Sequence, residues 1–226
     1  MRKHLFLLLF LFLSGSFIYS QDTISHSSKF KKLIDLSFGM GISLSNTPSF
    51  NDYLRAEIPF QGTDSVKSFS VGLEFFGGVE MELSKRFALK LDYSYFFRGN
   101  TYSYVYTYDI SYHIHQPVLM GYYIFPGKNF KIKLGAGAGY SFAQLSNTVS
   151  GSEIIYNASG PGFKGEILFN AQLSDRMSSY LSGFIMGNFI GNLKDSNGNI
   201  LQDTGGNVNL SNFGFGLRLG LCINLN

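Results

Sequence analysis

Charged residues are the first candidates for chemistry, because they recur among apolar neighbours and the two signs are nearly matched. The chain has 226 residues, with 18 Lys and Arg against 15 Asp and Glu. Charges that are removed from water need partners, so acidic and basic groups that share a face would pair. The candidates for one polar network are Asp35, Glu74, Glu80, Glu82, Lys90, Asp92, Arg98, Asp109, Lys131, Lys133, Lys164, Glu166 and Arg218.

The histidines are the next candidates. His113 and His115 alternate with apolar residues and lie close to Asp109, so they are weak candidates for ligands of a divalent metal. Two alternating histidines without a further fixed ligand favour polar side chains inside the fold over a metal site. No Ser-His-acid set is visible, and we predict no catalytic residue, no metal and no cofactor.

The alternation that positions the charges is strongest between Phe69 and Phe97. Odd positions there are almost all apolar, whereas even positions are mostly small or charged, on both sides of the turn at 84–86. Successive side chains of a strand point to opposite faces, so the segment is predicted to be a hairpin with one apolar and one polar face. Pairing across the turn would set Glu80 opposite Lys90.

Six further strands are predicted from the same pattern, at 33–44, 104–125, 130–142, 163–173, 179–190 and 212–226. In the strand at 104–125, the face with Ile110 and Tyr112 is interpreted as the apolar one, which puts both histidines and Asp109 on the polar face. Leu119 and Tyr123 would then pack against the glycines at 135–139. The faces of 179–190 stay open, since two apolar sets compete there: Tyr180, Phe184 and Met186 against Leu181, Ile185 and Phe189.

The connections alternate between long and short, including a polar loop at 147–160. A soluble sandwich would bury the apolar face, whereas a transmembrane barrel turns it to lipid and lines its lumen with the polar face. Strict alternation of loop lengths favours the barrel. We therefore predict an all-β fold, an eight-stranded antiparallel up-and-down transmembrane β-barrel with long extracellular loops and short periplasmic turns.

The lumen of such a barrel is just wide enough to be filled by side chains, so ion pairs are expected to plug it. Thr47 and Pro48 predict the start of a short helix over the barrel mouth, with Phe50, Tyr53, Leu54 and Ile58 at helical spacing. Tyr and Phe near strand ends are typical of interfacial girdles.

The N-terminus has a basic start, an apolar run from Leu5 to Leu13 and small residues before a polar continuation. This pattern predicts a signal peptide at 1–20, a polar periplasmic lead at 21–32 and the barrel at 33–226, exported to the cell outer membrane. A net charge of +3 without charged arms predicts no nucleic-acid partner. The single cysteine, Cys222, is expected to be a small lumen filler.

The segments HIHQPVLMGYYIFPGKNFKIKLGAGAGYSF, LSFGMGISLSN and PSFNDYL resemble the Bacteroidetes outer-membrane β-barrel family, the PorT-like relatives of small OmpX- and OmpA-type barrels. The resemblance implies a non-enzymatic structural or interaction role, as an accessory of envelope assembly or protein secretion. Implied partners are outer-membrane lipid, the barrel-assembly machinery and envelope or secretion-complex proteins, with a monomeric barrel. The alternatives are a narrow porin or small-ligand carrier and a lipid-modifying enzyme.

Overall fold

The structure, a computed structural model, describes residues 34–57, 71–103, 107–203 and 205–225. The predicted signal peptide and periplasmic lead lie outside these ranges. No helix among the described residues is long and apolar enough to cross a membrane. The elements are β1 (Ile34–Asn46), α1 (Pro48–Glu57), β2 (Val71–Glu82), β3 (Phe87–Ser103), β4 (Thr107–Pro126), β5 (Phe130–Val149), β6 (Ser152–Ala171), β7 (Met177–Asn188), β8 (Gln202–Asp203), β9 (Gly206–Asn207) and β10 (Asn212–Asn224).

Eight of these strands close into one antiparallel barrel. The hydrogen-bonded order is β1-β10-β7-β6-β5-β4-β3-β2, and β1 pairs with both β10 and β2. Closure removes the exposed sheet edges from the barrel wall. β8 and β9 form a separate two-stranded sheet. The predicted eight-stranded antiparallel barrel is confirmed.

Both ends of the barrel are recognisable from the connections. One end, the short-turn end, carries three tight connections at 83–86, 127–129 and 172–176, and the chain enters β1 and leaves β10 there. The opposite end, the loop end, carries α1 and the segment 189–211 that follows β7. In barrels of this class the short turns are periplasmic and the long loops extracellular, so we assign the two ends in that way.

The prediction of a polar loop at 147–160 is wrong, because β5 and β6 continue through this segment as one long hairpin. β4, β5 and β6 have 20 residues each, against 13 in β1 and 12 in β7. The hairpin closes through Ser150 and Gly151, whose φ angles of 49° and 86° suit a two-residue turn of type I′. Both faces of the hairpin are largely accessible to water, so most of its residues are polar or small. That composition led to the prediction of a loop.

The outer wall of the barrel is apolar over most of its height. Large hydrophobic side chains such as Met40, Leu91, Ile167 and Leu219 are each more than half exposed there. The inner face of β1, β2, β3, β5, β6 and β10 carries the small and charged residues, as the alternation predicts. An apolar belt with polar residues inside is the arrangement that lipid requires.

The faces of β4 are reversed from the prediction. Its inward side chains are Ile110, Tyr112, Ile114, Gln116, Val118, Met120, Tyr122 and Ile124, all buried. The faces of β7, which the sequence left open, are settled: Tyr180, Phe184 and Met186 point inward, while Leu181, Ile185 and Phe189 point outward.

The reversal of β4 changes which side chains meet the glycines of β5. A Cβ at Gly135 would lie 2.4 Å from the Tyr122 ring, and one at Gly137 would lie 2.6 Å from the sulfur of Met120. The glycines therefore make room for Tyr122 and Met120 and not for Leu119 and Tyr123, which face outward. Glycine is required here because the bulky inner side chains of β4 lie directly on the neighbouring backbone.

Candidate functional site

The centre of the lumen is organised around Arg218, whose side chain is fully buried. Its guanidinium donates to Glu74 at 2.9 Å, to Asp92 at 3.0 Å and to Glu166 at 3.4 Å. The same group lies between two aromatic rings, 4.6 Å from the Phe76 centroid and 5.0 Å from the Phe184 centroid. Arginine suits this position because its planar group serves several acceptors while it stacks on rings.

Two lysines complete this central layer. Lys90 Nζ lies 2.8 Å from Asp92 Oδ1 and donates to the Tyr180 hydroxyl at 3.0 Å. Lys164 Nζ donates to Asp92 Oδ2 at 3.0 Å and to Ser94 at 3.2 Å. The layer thus holds three carboxylates, from Glu74, Asp92 and Glu166, and three cations. The charges balance, and all six side chains are buried.

Glu166 accepts hydrogen bonds from three hydroxyl groups in addition to the one from Arg218. Tyr180 donates to it at 2.7 Å, Ser182 donates to it at 2.6 Å and Tyr122 also donates to it. These hydroxyl groups satisfy oxygen lone pairs that would otherwise be buried without a partner. The central layer is therefore a connected polar network and not a set of isolated ion pairs.

A second charged layer lies nearer the short-turn end. Lys133 pairs with Glu80 and Lys131 pairs with Glu82. Asp35 shares this layer, and its carboxylate lies within 4.8 Å of those of both glutamates. Glu80 and Lys90 do lie opposite each other in the β2–β3 register, as predicted. Their ion pairs nevertheless go elsewhere, because side chains of this length reach across the lumen.

Toward the loop end, the polar side chains in the lumen are mainly amides. Gln116 donates to Asn188 Oδ1 at 2.6 Å, Ser141 donates to the same oxygen at 2.8 Å, and Asn188 donates to Asn212 at 3.1 Å. Arg98 lies at this level and donates to the Tyr112 hydroxyl at 3.0 Å. The amide layer lies between most of the ion network and the apolar residues of the loop end, although Phe184 contacts both Arg218 and the apolar cluster.

An apolar plug closes the loop end. Phe50 and Leu54 of α1 are fully buried and Tyr53 nearly so. They pack with inward residues of the strands and with buried residues of the segment 189–211, namely Phe96, Ile110, Tyr112, Ile114, Ala143, Leu145, Phe184, Met186, Ile190, Leu193, Val208 and Leu210. The helix predicted over the mouth is confirmed, except that Ile58 lies outside the described residues. Thr47 precedes the helix, and its carbonyl accepts the first helical bond, from Asn51 at 3.0 Å.

The exposed part of the segment 189–211 carries a tight polar turn. Asp195 Oδ1 accepts hydrogen bonds from the backbone N–H groups of Asn197 and Asn199, both at 2.8 Å, and Oδ2 accepts one from the Asn199 side chain at 2.9 Å. The side-chain bond from Asn199, followed by the backbone bonds, lowers the pKa of Asp195 from its ordinary value.

Twelve of the thirteen charged candidates lie inside the barrel: Asp35, Glu74, Glu80, Glu82, Lys90, Asp92, Arg98, Lys131, Lys133, Lys164, Glu166 and Arg218. Asp109 does not, because the β4 faces are reversed. It is exposed on the outer side and accepts a hydrogen bond from Thr101 at 3.4 Å. Cys222 is buried inside, where Asn170 Nδ2 lies 3.5 Å from its sulfur.

The two histidines also lie outside, which corrects the prediction that they face the lumen. His115 Nδ1 is 2.5 Å from the Tyr93 hydroxyl, and the rings of His113 and Tyr95 are 5.8 Å apart. Together with Phe97 and Phe142, these residues form an aromatic group on the outer wall near the loop end. Such rings are typical of the water–lipid interface.

Several residues of the network were missed at the sequence level. Tyr122, Tyr180, Ser94 and Ser182 all bond to the central ions, yet serine and tyrosine are common on either face of a strand. The only sequence signal that these four residues face the lumen is that they alternate in phase with neighbours predicted to point inward. For Ser94 this signal was present, since it alternates with Lys90 and Asp92.

Comparison with known proteins supports the fold and adds no sequence family. No protein-family model matches the chain, and no curated protein matches it either. Among solved structures, it resembles Neisserial surface protein A (NspA), with a TM-score of 0.52 and 11% identity over 84% of this chain and 96% of that one. OprG from Pseudomonas aeruginosa matches with a TM-score of 0.51 and 12% identity over 86% of this chain and 96% of that one. Ail of Yersinia pestis, solved in complex with the heparin analogue sucrose octasulfate, matches with a TM-score of 0.50 and 12% identity over 87% of this chain and 100% of that one.

These neighbours define the class of the fold, which is that of small outer-membrane β-barrels. At identities of 11–12% the likeness extends to the fold alone. The function therefore has to be argued from this chain's own residues.

Proposed function

We propose that the protein is a non-enzymatic barrel of the outer membrane that acts as an interaction protein through its extracellular surface. The observation that carries the proposal is the combination of a filled lumen with an extended hairpin at the loop end. The outer-membrane folds of NspA, OprG and Ail support the location. The PorT-like resemblance supports an accessory role in envelope assembly or protein secretion.

The filled lumen argues against transport through the barrel. The central layer of Glu74, Asp92 and Arg218 is fully buried, and its carboxylates and cations are bound to one another. A solute would have to break several charge-assisted hydrogen bonds and displace the apolar plug, and buried ion pairs are costly to separate. A narrow porin or small-ligand carrier is thus the less supported alternative.

The arrangement of nucleophiles and bases also argues against the alternative of a lipid-modifying enzyme. Within the described residues, His115 bonds to Tyr93, and neither His113 nor His115 forms a hydrogen bond with a serine. A hydroxyl nucleophile needs a base within hydrogen-bond reach. The carboxylates of the central layer are held by Arg218, Lys90 and Lys164 inside the lumen, on the other side of the barrel wall from both histidines.

The hairpin of β5 and β6 offers the docking surface. β6 makes its last ladder pair with β7 at Gly162, and the backbone at 157–161 bonds instead to the segment 189–194. Among the described residues, no backbone pairs with the outer edge of 152–155. Ile154 and Ile155 are 47% and 41% exposed there.

Exposed strand edges are normally blunted by charged side chains, Pro or a bulge. In the sequence Ser-Glu-Ile-Ile at 152–155 only Glu153 is charged, and its carboxylate accepts a hydrogen bond from Ser146 across the hairpin. An extended segment of a partner protein could add to such an edge through main-chain hydrogen bonds, with pockets or apolar contacts for alternate side chains. Binding of this kind needs no conducting lumen and no catalytic residue.

Photocrosslinking in the native envelope tests the proposal. A photoreactive residue at Ile155 is expected to give one dominant protein adduct, and Ile155→Lys combined with a probe at Ile154 should abolish it because a charge blunts the edge. Leu119, which is 54% exposed on the lipid-facing wall, provides the matched control position. Protein adducts of equal abundance at both positions, or none at Ile155, would contradict the interaction role.

A further inference from the structure

The short-turn end carries an excess of exposed basic side chains. Its connections at 83–86, 127–129 and 172–176 hold four basic residues against one acidic residue: Lys85, Arg86, Lys128 and Arg176 against Asp175. All four basic side chains are exposed, and none of them forms an ion pair with another described residue. Within the described part of the chain, their positive charge is therefore not compensated.

The loop end has the opposite charge. Among the charged side chains that the structure describes there, the exposed and half-exposed ones are mainly acidic: Asp52, Asp109, Glu153, Asp195 and Asp203 against Arg55 and Lys194. The basic excess thus belongs to one end of the barrel, the end that we assign to the periplasmic side.

Large apolar side chains flank the basic turns on the outer wall. Leu83, Phe87, Phe125 and Leu173 are all exposed there. Aromatic rings beside Lys and Arg are typical of the boundary between hydrocarbon and lipid head groups, where long basic side chains reach toward the polar layer. The basic residues of these turns therefore lie at the level of the head groups of the adjoining leaflet.

Arg86 is held on the lipid-facing side of the wall. Its Nη1 donates to the hydroxyl of Tyr123, an outward residue of β4, at 3.4 Å. The Tyr123 ring packs against the rings of Phe87 and Phe125, at centroid distances of 5.3 and 4.8 Å. The basic residues of the other two turns instead line a pocket of about 220 Å³ at the barrel mouth. Arg86 is thus directed at lipid and not at the lumen.

The backbone at Arg86 is also fixed. Its N–H donates to Ser84 Oγ at 3.2 Å, and its carbonyl accepts a hydrogen bond from the N–H of Ile124 at 2.8 Å. Because the Tyr123 hydroxyl accepts from Arg86, its own proton is left to donate to another group. A guanidinium group and a hydroxyl group that both have donors to offer, with Lys85 next in the chain, suit the oxygens of a phosphate group.

We propose that Lys85, Arg86 and Tyr123 bind the head-group phosphate of an anionic phospholipid in the adjoining leaflet. The rings of Phe87 and Phe125 lie on the hydrocarbon side of this site, where they contact the acyl chains. Basic residues at a membrane surface attract anionic lipids, which selects them over zwitterionic ones. The site is at the opposite end of the barrel from the strand edge at 152–155 and does not depend on docking there.

Quenching of a single tryptophan by brominated lipid tests the site, because the chain has no tryptophan of its own. The full chain with Phe125→Trp is reconstituted into phosphatidylcholine vesicles that contain the same fraction of either brominated phosphatidylglycerol or brominated phosphatidylcholine. We expect stronger quenching by the brominated phosphatidylglycerol. Phe142→Trp, on the outer wall near the loop end, is the matched reporter and should be quenched equally by both lipids.

Substitutions in the Phe125→Trp background identify the residues that select the lipid. Arg86→Met should lower the relative affinity for phosphatidylglycerol about fivefold, which corresponds to the attraction of one basic residue to an anionic surface. Tyr123→Phe keeps the ring and removes the donor, so it should lower the affinity by a smaller factor. Arg55→Met, at the loop end, should leave it unchanged.

Equal quenching of Phe125→Trp by the two brominated lipids would overturn the proposal, and so would an equal preference for phosphatidylglycerol at Phe142→Trp. An unchanged preference in folded Arg86→Met would also overturn it; if that variant does not fold, an unchanged preference in Tyr123→Phe has the same meaning. Loss of the preference with inorganic phosphate, but not with NaCl at the same ionic strength, would indicate a site for the free anion and contradict lipid binding.

Discussion

Replacement of Arg218 by methionine would test the energetics of the lumen most sharply. The guanidinium bonds to Glu74, Asp92 and Glu166, and it stacks between Phe76 and Phe184. Methionine keeps much of the apolar contact and removes the charge, which leaves three buried carboxylates against two lysines. Breaking a buried ion pair from one side costs about 3–5 kcal/mol. At about 1.4 kcal/mol per tenfold, the folding equilibrium should fall by roughly three orders of magnitude.

The assay is urea unfolding of the barrel in lipid bilayers, with the folded fraction read from its electrophoretic mobility without heating. Arg218→Lys should fall between the wild type and Arg218→Met, because an ammonium group keeps the charge but cannot serve several acceptors at fixed geometry. Arg55→Met is the matched control, since Arg55 pairs with Asp52 at 3.3 Å with 65% and 66% of the two side chains exposed. Exposed pairs contribute about 0.2–1 kcal/mol. A loss for Arg218→Met no larger than that of the control would refute the account of the network.

Two further substitutions, each with a comparison variant, test the corrected faces of β4. Gly135→Val should lower the yield of folded barrel, because a Cβ would lie 2.4 Å from the Tyr122 ring, whereas Gly121→Ala, with no heavy atom within 4 Å, should fold like the wild type in the same refolding assay. Leu119→Arg should cost about 2–4 kcal/mol of unfolding free energy in lipid, because an outward basic residue near the midplane faces hydrocarbon. His115→Leu should cost far less, and equal losses for the two would mean that β4 has been placed with the wrong face outward.

The strands whose two faces could be predicted are those whose inner face, over the predicted length, carries only small or charged residues. In β5, Lys131 and Lys133 alternate with apolar residues, and in β10 Arg218 does so among glycines. In these strands, only one assignment of the two faces places the polar residues in the lumen. Their phase was therefore available from the sequence.

β4 shows why the rule fails elsewhere. Near the loop end, the lumen is filled by the apolar plug, so Ile110 and Ile114 point inward, while His113 and His115 occupy the interface outside. In this part of β4, the polarity of a side chain depends on its position along the barrel axis and does not show whether it faces the lumen or the outside. The alternation was correctly identified, but the side that each set faces depends on α1 and the segment 189–211.

The partners of the ion pairs could not be predicted from the sequence for a different reason. The residue types and the inward phase placed Glu80, Lys90 and Lys133 in the lumen, yet register alone set Glu80 opposite Lys90. In the closed barrel, Lys133 reaches Glu80 from across the lumen, and Lys90 turns to Asp92. Partners of long side chains depend on barrel closure, which brings distant strands within reach.

The hairpin at 147–160 illustrates a third limit. Apart from Val149, Ile154, Ile155 and Tyr156, its residues are small or polar, and this composition is also typical of a loop. The β5–β6 register, with 20 residue pairs in all, continues through this segment as far as Val149 and Ser152 and holds it as a strand pair. Only the turn at Ser150 and Gly151 signals a hairpin.

Conductance in planar bilayers would show whether the ion network and the apolar plug close the lumen of the membrane barrel. The reconstituted wild-type barrel is expected to give no conductance steps above the bilayer baseline at either polarity. Stable, reproducible steps from folded protein would contradict the account and favour a narrow porin.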